Sequence, residues 1–303
     1  MSFFVTVLGS GSTLPTSNRK PTAQYVKCGN RHILIDCGEG TQMQMRTYGV
    51  KFQSIDHILI SHLHGDHYFG LVGLLSTMNL LGRVKPIAIY GTARLQNILE
   101  LQLNNDQTQL SFAIVFHELD RKRSGILFED KVIRVDYFPL SHRIPTSGFL
   151  ITEKKKERKL NVTLVERDKV QIAYFKKLKK GQDVIDDDGT VFSFEKYTEE
   201  AQPARSYAFC SDTKYYEKII PYIDGVDLLY HEATYIEKHK AKASATKHST
   251  AKQAALIAKK AKVKCLLIGH ISARYATGET HLGEAKSVFK NTILVGEGET
   301  YSV

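Results

Sequence analysis

Short apolar segments alternate with amphipathic segments along most of the chain. Apolar runs bounded by turn-forming residues predict strands, and longer segments with apolar residues every three or four positions predict helices. The predicted strands are Phe3–Leu8, Ala23–Cys28, Arg31–Asp36, His57–Ile60, Pro86–Tyr90, Phe112–Phe116, Val132–Leu140, Tyr207–Ser211, Val226–Tyr230, Lys264–Ile268 and Thr292–Val295. The predicted helices are Thr41–Tyr48, Phe69–Leu81, Thr92–Leu103, Lys214–Tyr222, Thr250–Ala261 and Leu282–Phe289. This order, which shows no repeat of fixed period, indicates an α/β fold with two β-sheets flanked by helices.

Length and composition are consistent with one domain over residues 1–303. With 303 residues, of which 42% are apolar, the chain can bury a full core. It shows no signal peptide and no membrane span, and the four cysteines include no Cys-x-x-Cys pair. Two of them, Cys210 and Cys265, lie in apolar strands and are expected to be small buried side chains. These features predict a cytoplasmic protein without a membrane partner.

The densest group of chemically active side chains directly follows the strand His57–Ile60. The next ten residues read S-H-L-H-G-D-H-Y-F-G. They place three histidines and one aspartate within six positions: His62, His64, Asp66 and His67. Imidazoles and a carboxylate without a thiolate suit zinc or a similar borderline metal. Because such groups are costly to bury unpaired, a metal site is favoured over a solvated histidine-rich turn.

The pattern His-x-His-x-Asp-His resembles the metallo-β-lactamase superfamily. The resemblance implies an αββα sandwich with two Zn²⁺ per subunit, and it implies that later strand ends supply a histidine, an aspartate and a final histidine. A lone histidine at a strand end is more often structural, but three matches occur here in the expected order. They are His142 after Val132–Leu140, Asp212 after Tyr207–Cys210, and His270 after Cys265–Ile268.

The superfamily pattern also assigns a role to each of these residues. One metal ion is expected at His62, His64 and His142, and the other at Asp66, His67 and His270. Asp212 is expected to bridge the two ions. Asp66 is further expected to orient the nucleophile and to accept its proton. These roles are implied by the resemblance and not by the spacing.

Two later elements resemble ribonuclease Z, the enzyme that removes the 3′ trailer from precursor tRNA. They are His231-Glu232-Ala233-Thr234 and His248-Ser249-Thr250, and the tail of the metal loop, H-Y-F-G-L, is similar as well. The resemblance implies that Glu232 orients His248 and that His248 protonates the leaving 3′ oxygen. The alternative for His248 is a plain position before the helix Thr250–Ala261, with Ser249 or Thr250 as its N-cap. His231 is interpreted as a buried supporting residue.

The loop after the first strand departs from the ribonuclease Z pattern. That family carries Pro-x-Lys-x-Arg-Asn here, in a loop linked to the treatment of a CCA end. This chain keeps Pro15 and Arg19, but it has Ser17 where lysine is usual and Lys20 where asparagine is usual. The departure leaves phosphodiester cleavage intact and puts CCA discrimination in doubt.

Two further residues have a functional and a plain interpretation. Asp36 begins the segment D-C-G-E-G-T-Q, which resembles a family element in which the aspartate braces the metal loop. The alternative is a simple turn that caps the following helix. Arg274, shortly after His270, is either a phosphate ligand or an ordinary surface arginine.

Positive charge is concentrated in the segment 151–197, between the predicted strands that end at His142 and Asp212. Residues 153–181 contain eleven Lys or Arg and four Asp or Glu, which gives +7 of the chain's net +10. A charge run usually marks a solvated surface. At this position, however, ribonuclease Z inserts an arm that binds the tRNA body, so the resemblance implies a tRNA-binding exosite.

The resemblance extends from Gly9 to Tyr275. It implies a zinc-dependent endoribonuclease that cleaves precursor tRNA after the discriminator nucleotide, leaves a 3′-hydroxyl and works as a homodimer. Two alternatives stay open. One is a small-molecule phosphodiesterase or arylsulfatase-like hydrolase on the same fold, and the other is an RNA-binding protein with structural zinc. The second is less favoured, because structural zinc sites are usually closed four-ligand sites.

Overall fold

The structure is a computed structural model that describes residues 2–103, 109–120 and 122–303. The chain forms two compact units. The larger unit comprises Met1–Thr152 and Arg205–Val303, and the smaller unit is the intervening segment Glu153–Ala204. Ile151, the first residue of the segment 151–197, pairs with Tyr207 inside a strand of the larger unit.

The strands and helices follow one another in the α/β order that the apolar pattern predicts. The strands are β1 (Phe3–Gly9), β2 (Gly11–Ser12), β3 (Ala23–Cys28), β4 (Arg31–Ile35), β5 (His57–Leu59), β6 (Ile87–Gly91), β7 (Ile114–Glu118), β8 (Gly125–Glu129), β9 (Ile133–Leu140), β10 (Thr146–Glu153), β11 (Lys159–Leu160), β12 (Val184–Ile185), β13 (Val191–Phe192), β14 (Thr198–Glu199), β15 (Ser206–Cys210), β16 (Leu228–Glu232), β17 (Cys265–Gly269), β18 (Ile271–Ser272), β19 (Thr292–Leu294) and β20 (Thr300–Ser302). The α-helices are α1 (Thr41–Thr47), α2 (Gly65–Tyr68), α3 (Leu71–Leu80), α4 (Ala93–Leu103), α5 (Val162–Arg167), α6 (Phe175–Lys179), α7 (Phe194–Tyr197), α8 (Ile220–Ile223), α9 (Lys240–Thr246), α10 (Ala251–Lys260) and α11 (Glu279–Lys286).

Two seven-stranded mixed sheets make up the larger unit. The first has the order β20-β1-β3-β4-β5-β6-β7, and the second has the order β19-β17-β16-β15-β10-β9-β8. Strands β4 to β7 are parallel in the first sheet, and β15, β16, β17 and β19 are parallel in the second. Parallel strands end at one edge of a sheet, so the residues that follow them are brought together there.

Alternation of side chains along β4 shows why the sheets are layered as a sandwich. Ile33 and Ile35 belong to the apolar cluster that contains Phe209 and Tyr230 of the second sheet. Leu34 faces the other way, into a cluster with Leu71 and Leu74 of α3 and with the buried side of α4. A third cluster joins the outer side of the second sheet to α10. The larger unit is therefore an αββα sandwich, as the sequence predicts.

The structure corrects one predicted helix and adds strands. The helix expected at Lys214–Tyr222 is wrong, because only a 3-10 turn (Glu217–Ile219) and the four-residue α8 form there. Pro221 explains this, since proline lacks a backbone donor and is tolerated only in the first turn of a helix, where it lies here. The strands β8 and β10 were not predicted from the apolar pattern.

The smaller unit has an apolar cluster of its own. Its buried members are Val165, Val170, Leu178, Val184, Phe192 and Tyr197. Two-stranded ladders β11–β14 and β12–β13 and three short helices surround this cluster. A segment with a core of this kind is a small folded unit and not an extended loop.

Candidate metal and catalytic centre

Three residues that follow parallel strands share a left-handed backbone conformation. Asp36 directly follows β4, Asp212 is the second residue after β15, and His270 directly follows β17. Their φ angles are 56°, 60° and 58°. A positive φ is uncommon in residues other than glycine, and aspartate and histidine are among the residue types that adopt it most readily. All three side chains are buried, and all three face the loop that carries His62 and His67.

The first group of candidate ligands combines three histidines with one carboxylate. The nearest ring nitrogens are His62 Nε2 to His64 Nδ1 at 2.9 Å and His142 Nε2 to His64 Nδ1 at 3.2 Å. Asp212 Oδ2 lies 3.5 Å from Nε2 of both His62 and His142. A tetrahedral zinc ion with bonds of about 2.0–2.1 Å separates its ligand atoms by roughly 3.3 Å. The four side chains therefore have the spacing of a tetrahedral site.

The second group lies on the other side of the same aspartate. Asp212 Oδ1 is 3.2 Å from His67 Nε2 and 3.1 Å from His270 Nε2. Asp66 Oδ2 lies 3.6 Å from His67 Nε2 and 3.5 Å from His270 Nε2. Because the two oxygens of Asp212 face different groups, this carboxylate has the geometry of a bridging ligand.

Buried nitrogen atoms without partners show that these residues fit metal ions. Among the described residues, Nε2 of His67 and Nε2 of His270 are fully buried and make no hydrogen bond. Such atoms are costly unless a ligand satisfies them. Burial also lowers the pKa of His62 well below its ordinary value and so favours the neutral imidazole that binds metal. The residues present thus suit two divalent cations.

His67 shows how negative the centre is. Burial acts to lower its pKa, but three nearby carboxylates raise the pKa well above the ordinary value for histidine. These are Asp212, Asp36 and Asp66. A site that accumulates this much negative charge is complementary to cations.

Asp36 fixes the orientation of the metal loop. Its Oδ2 accepts hydrogen bonds from His67 Nδ1 at 2.7 Å and from Ser61 Oγ at 2.9 Å, and its Oδ1 accepts one from Ser61 N at 2.8 Å. The bond to Nδ1 leaves Nε2 of His67 available as a ligand. The N-cap of α1 is Gly40, which belongs to the same segment, so the segment also forms the turn before the helix while the side chain of Asp36 contacts the metal loop.

Glu232 and His248 form a buried pair beside the candidate ligands. Glu232 Oε1 accepts from His248 Nδ1 at 2.9 Å and from Thr213 N at 2.7 Å, while its Oε2 accepts from Ser249 N and from Thr234 Oγ1. His248 Nε2 lies 4.0 Å from Asp212 Oδ2. Burial acts to lower the pKa of His248, but Glu232 and Asp212 raise it to about 9. The Glu232 carboxylate therefore favours the protonated form of the imidazole.

Thr250, and not His248, caps the helix that follows them. Thr250 is the N-cap of α10 and forms a capping box with Gln253. His248 precedes the cap by two residues and directs its ring to Glu232 and not to the helix. His231 is buried, and its Nδ1 donates to the carbonyl oxygen of Glu232.

The loop Ser10–Lys20 contributes contacts that the sequence did not reveal. Thr13, with φ of 57°, donates its backbone N–H to Asp66 Oδ2 at 2.7 Å. Glu297 Oε1 accepts from the backbone nitrogens of Ser10 at 3.1 Å and Lys20 at 2.7 Å, so one carboxylate holds both ends of the loop. No local motif could have indicated Glu297, because its partners lie more than 270 residues away.

An open cleft gives access to this centre. Its volume is about 390 Å³, and its lining includes His64, Asp66, Asp212 and His248. Pro15 of the loop and Arg143, directly after His142, also line it. Polar ligand groups, a protonated histidine and an arginine in one cleft suit a phosphate ester.

Comparison with known proteins gives matches over the entire chain. Residues 3–173 match the family described as "Anti-Pycsar protein Apyc1" and belong to it. The ribonuclease Z of Bacteroides fragilis is 43% identical over 295 residues, 97% of each chain, and that of Porphyromonas gingivalis is 43% identical over 296 residues, 98% of this chain and 97% of the relative.

Solved structures agree with the sequence relatives. The short form of human tRNase Z superposes with a TM-score of 0.73 at 28% identity and 99% coverage of both chains. The metallo-β-lactamase fold protein YhfI of Bacillus subtilis gives 0.70 at 18% identity with full coverage of both chains, which shows the fold alone. The chain thus belongs to the ribonuclease Z family, endoribonucleases of metallo-β-lactamase fold that act in tRNA 3′ processing.

Proposed function

We propose that this ribonuclease Z cleaves precursor tRNA directly after the discriminator nucleotide and leaves a 3′-hydroxyl on the tRNA. The observation that carries the proposal is the buried pair of Glu232 and His248. A nuclease that expels a ribose 3′ oxygen needs a proton donor at that oxygen. The carboxylate of Glu232 raises the pKa of His248 and so favours the imidazolium form, and Nε2 of His248 lies 4.0 Å from Asp212 Oδ2 at the cleft.

The proposed cofactor is a pair of Zn²⁺ ions in each subunit. His62, His64 and His142 would hold one ion, Asp66, His67 and His270 would hold the other, and Asp212 would bridge them. When bound, such a pair lowers the pKa of water and neutralises charge that develops on the phosphoryl group. The opposed contacts of the two Asp212 oxygens support this division.

Asp66 is the proposed proton acceptor. Burial acts to raise its pKa, but His67 and the hydrogen bond with His270 lower it below the ordinary value, so the carboxylate is ionised at neutral pH. The backbone N–H of Thr13 fixes Oδ2 from the loop side. An ionised and oriented carboxylate at the floor of the cleft can position a nucleophilic water and accept its proton.

The smaller unit is proposed to bind the tRNA body. Lys155, Lys156, Arg158, Lys179 and Lys180 line a cavity of about 970 Å³ in that unit. Lys176, Lys177, Lys179 and Lys180 form no ion pair with any residue that the structure describes. Unpaired lysines are available to phosphates, and their contacts weaken steeply with salt.

The proposed assembly is a cytoplasmic homodimer. Three exposed apolar side chains support the homodimer: Leu80 at the end of α3, Val84 in the loop after it and Leu101 on α4. Their exposed fractions are 85%, 78% and 80%. Among the described residues, no helix is both long enough and apolar enough to cross a membrane. Light scattering of the wild type and of a Leu80→Glu, Val84→Glu variant would test the dimer, and a wild type of monomer mass would contradict it.

The main experiment is cleavage of a 3′-extended precursor tRNA by zinc-loaded protein, with the product mapped to the nucleotide. The expected result is one cut after the discriminator that disappears with a chelator and returns with added zinc. A Zn²⁺-loaded protein that leaves the precursor intact, yet hydrolyses bis(p-nitrophenyl) phosphate rapidly, would contradict the proposal. That result would favour the small-molecule phosphodiesterase, the alternative function on the same fold.

A further inference from the structure

A second, smaller cavity adjoins the catalytic cleft. Its volume is about 190 Å³, which corresponds to roughly six water molecules. The two cavities share Thr13, Leu14 and His248 in their linings. None of the seven side chains His62, His64, Asp66, His67, His142, Asp212 and His270 lines the smaller one, which meets the cleft at Thr13, Leu14 and His248.

A fixed platform of two side chains lines this second cavity. The guanidinium carbon of Arg274 lies 5.2 Å from the centroid of the Tyr235 ring, and Arg274 Nε donates to Ser272 Oγ at 3.1 Å. The backbone of Tyr235 is held on both sides, since its N–H donates to Ser249 and its carbonyl accepts from Ala251. A guanidinium stacked on a ring presents a flat cationic surface.

The serines that line the cavity belong to a short strand ladder. Ser12 of β2 pairs with Ser272 of β18 in a two-stranded parallel ladder, and both serines line the cavity. Leu14 stands at the rim with 61% of its surface exposed. The cavity lining thus combines an apolar side chain, hydroxyl groups and a guanidinium, which is the chemistry that recognises a nucleobase.

The position of His248 indicates which nucleotide would place its base in the second cavity. His248 lines both the catalytic cleft and the second cavity. A nucleotide whose 3′ oxygen lies beside His248 in the cleft can therefore place its base in the adjoining cavity, next to Arg274. We propose that this cavity is a nucleoside subsite that takes the base of the discriminator nucleotide, packed against the exposed guanidinium of Arg274, which the buried ring of Tyr235 supports. This inference rests on the proposed function, which places the 3′ oxygen on the tRNA side of the cut.

A precursor whose discriminator is abasic tests the subsite directly, because it keeps the ribose and both phosphates. The kcat/KM on this precursor and on the normal one would be compared for the wild type, Tyr235→Ala and Arg274→Ala. Arg46→Ala is the matched control, since Arg46 also stacks on a ring, that of Phe52 at 5.3 Å, and lines neither cavity. Arg274 is exposed, so its replacement leaves the core intact.

The wild type and Arg46→Ala are expected to lose roughly 5- to 150-fold in kcat/KM when the base is removed, which is the range for one stacked base. Tyr235→Ala and Arg274→Ala should lose much of this discrimination, since the base and the platform then no longer interact. If both variants keep the wild-type ratio between the two precursors, the subsite does not exist. If the wild type fails to cut the normal precursor after the discriminator, the proposed function fails first.

Discussion

Glu232 Oε1 lies 2.9 Å from Nδ1 of His248, and both side chains are buried against the cleft. The carboxylate raises the pKa of the imidazole and fixes the ring so that Nε2 faces the reaction site. Glu232 itself is held by backbone donors of Thr213 and Ser249. The imidazole of His248 is therefore positioned by residues from three separate elements.

Replacement of His248 by alanine is expected to lower kcat on precursor tRNA by about 10²- to 10⁴-fold, the usual contribution of a general acid. The loss on bis(p-nitrophenyl) phosphate should be smaller, because p-nitrophenolate leaves without protonation. The ratio of the two losses is the measurement. Equal losses on both substrates, with unchanged zinc content, would show that His248 is not the proton donor.

Replacement of Asp36 by asparagine is expected to weaken metal binding by roughly 10- to 100-fold, as the loss of a partner that orients a ligand usually does. The reason is that His67 Nδ1 would lose its carboxylate acceptor. Competition with a chromophoric chelator measures the affinity. Asp136→Asn, which changes a half-buried carboxylate paired with Arg134, is the control, and equal affinities in the two variants would contradict the role of Asp36.

Replacement of Glu297 by alanine is expected to release the loop Ser10–Lys20. The backbone donors of Ser10 and Lys20 would lose their acceptor, and the unfolding free energy should fall by roughly 1–3 kcal/mol. Faster limited proteolysis within the loop is the direct readout. Glu297→Gln keeps one acceptor oxygen and should restore part of the protection, whereas a loop that is cut at the wild-type rate in the alanine variant would refute the clamp.

Simultaneous replacement of Lys176, Lys177, Lys179 and Lys180 by alanine is expected to raise KM for precursor tRNA. The dependence of log KM on log salt should also become shallower, by up to about 0.7–0.9 for each lysine that contacts a phosphate. Turnover of bis(p-nitrophenyl) phosphate provides the reference activity. The matched control replaces four dispersed exposed lysines: Lys51, Lys131, Lys286 and Lys290. An identical change in the control would mean that only net charge matters.

Local spacing explains which parts of the centre the sequence could predict. His62, His64, Asp66 and His67 share one loop, so their pattern alone indicated a metal site. His142, Asp212 and His270 could be found because each follows an apolar strand, and the structure brings them to the same cleft. Their roles as ligands stay predictions, as do those of Glu232 and His248.

Contacts between distant segments explain what the sequence could not predict. Thr13 reaches Asp66 through its backbone, which no side-chain motif encodes. Glu297 lies in a polar turn that resembles any other until its partners are known. The strand β10 was not predicted because it is buried on both faces, and β8 was not predicted because none of its positions is buried, so neither shows the alternation of a half-buried strand.

The clamp between Glu297 and the ends of the loop Ser10–Lys20 has a consequence for biosynthesis. A nascent chain carries every candidate metal ligand once residue 270 has been added, yet it lacks the carboxylate that holds the substrate loop. The candidate metal ligands are therefore synthesised before Glu297, the residue that holds the loop Ser10–Lys20 beside the cleft. Ribosome-bound chains that stop between residues 270 and 297 would separate these two stages of maturation.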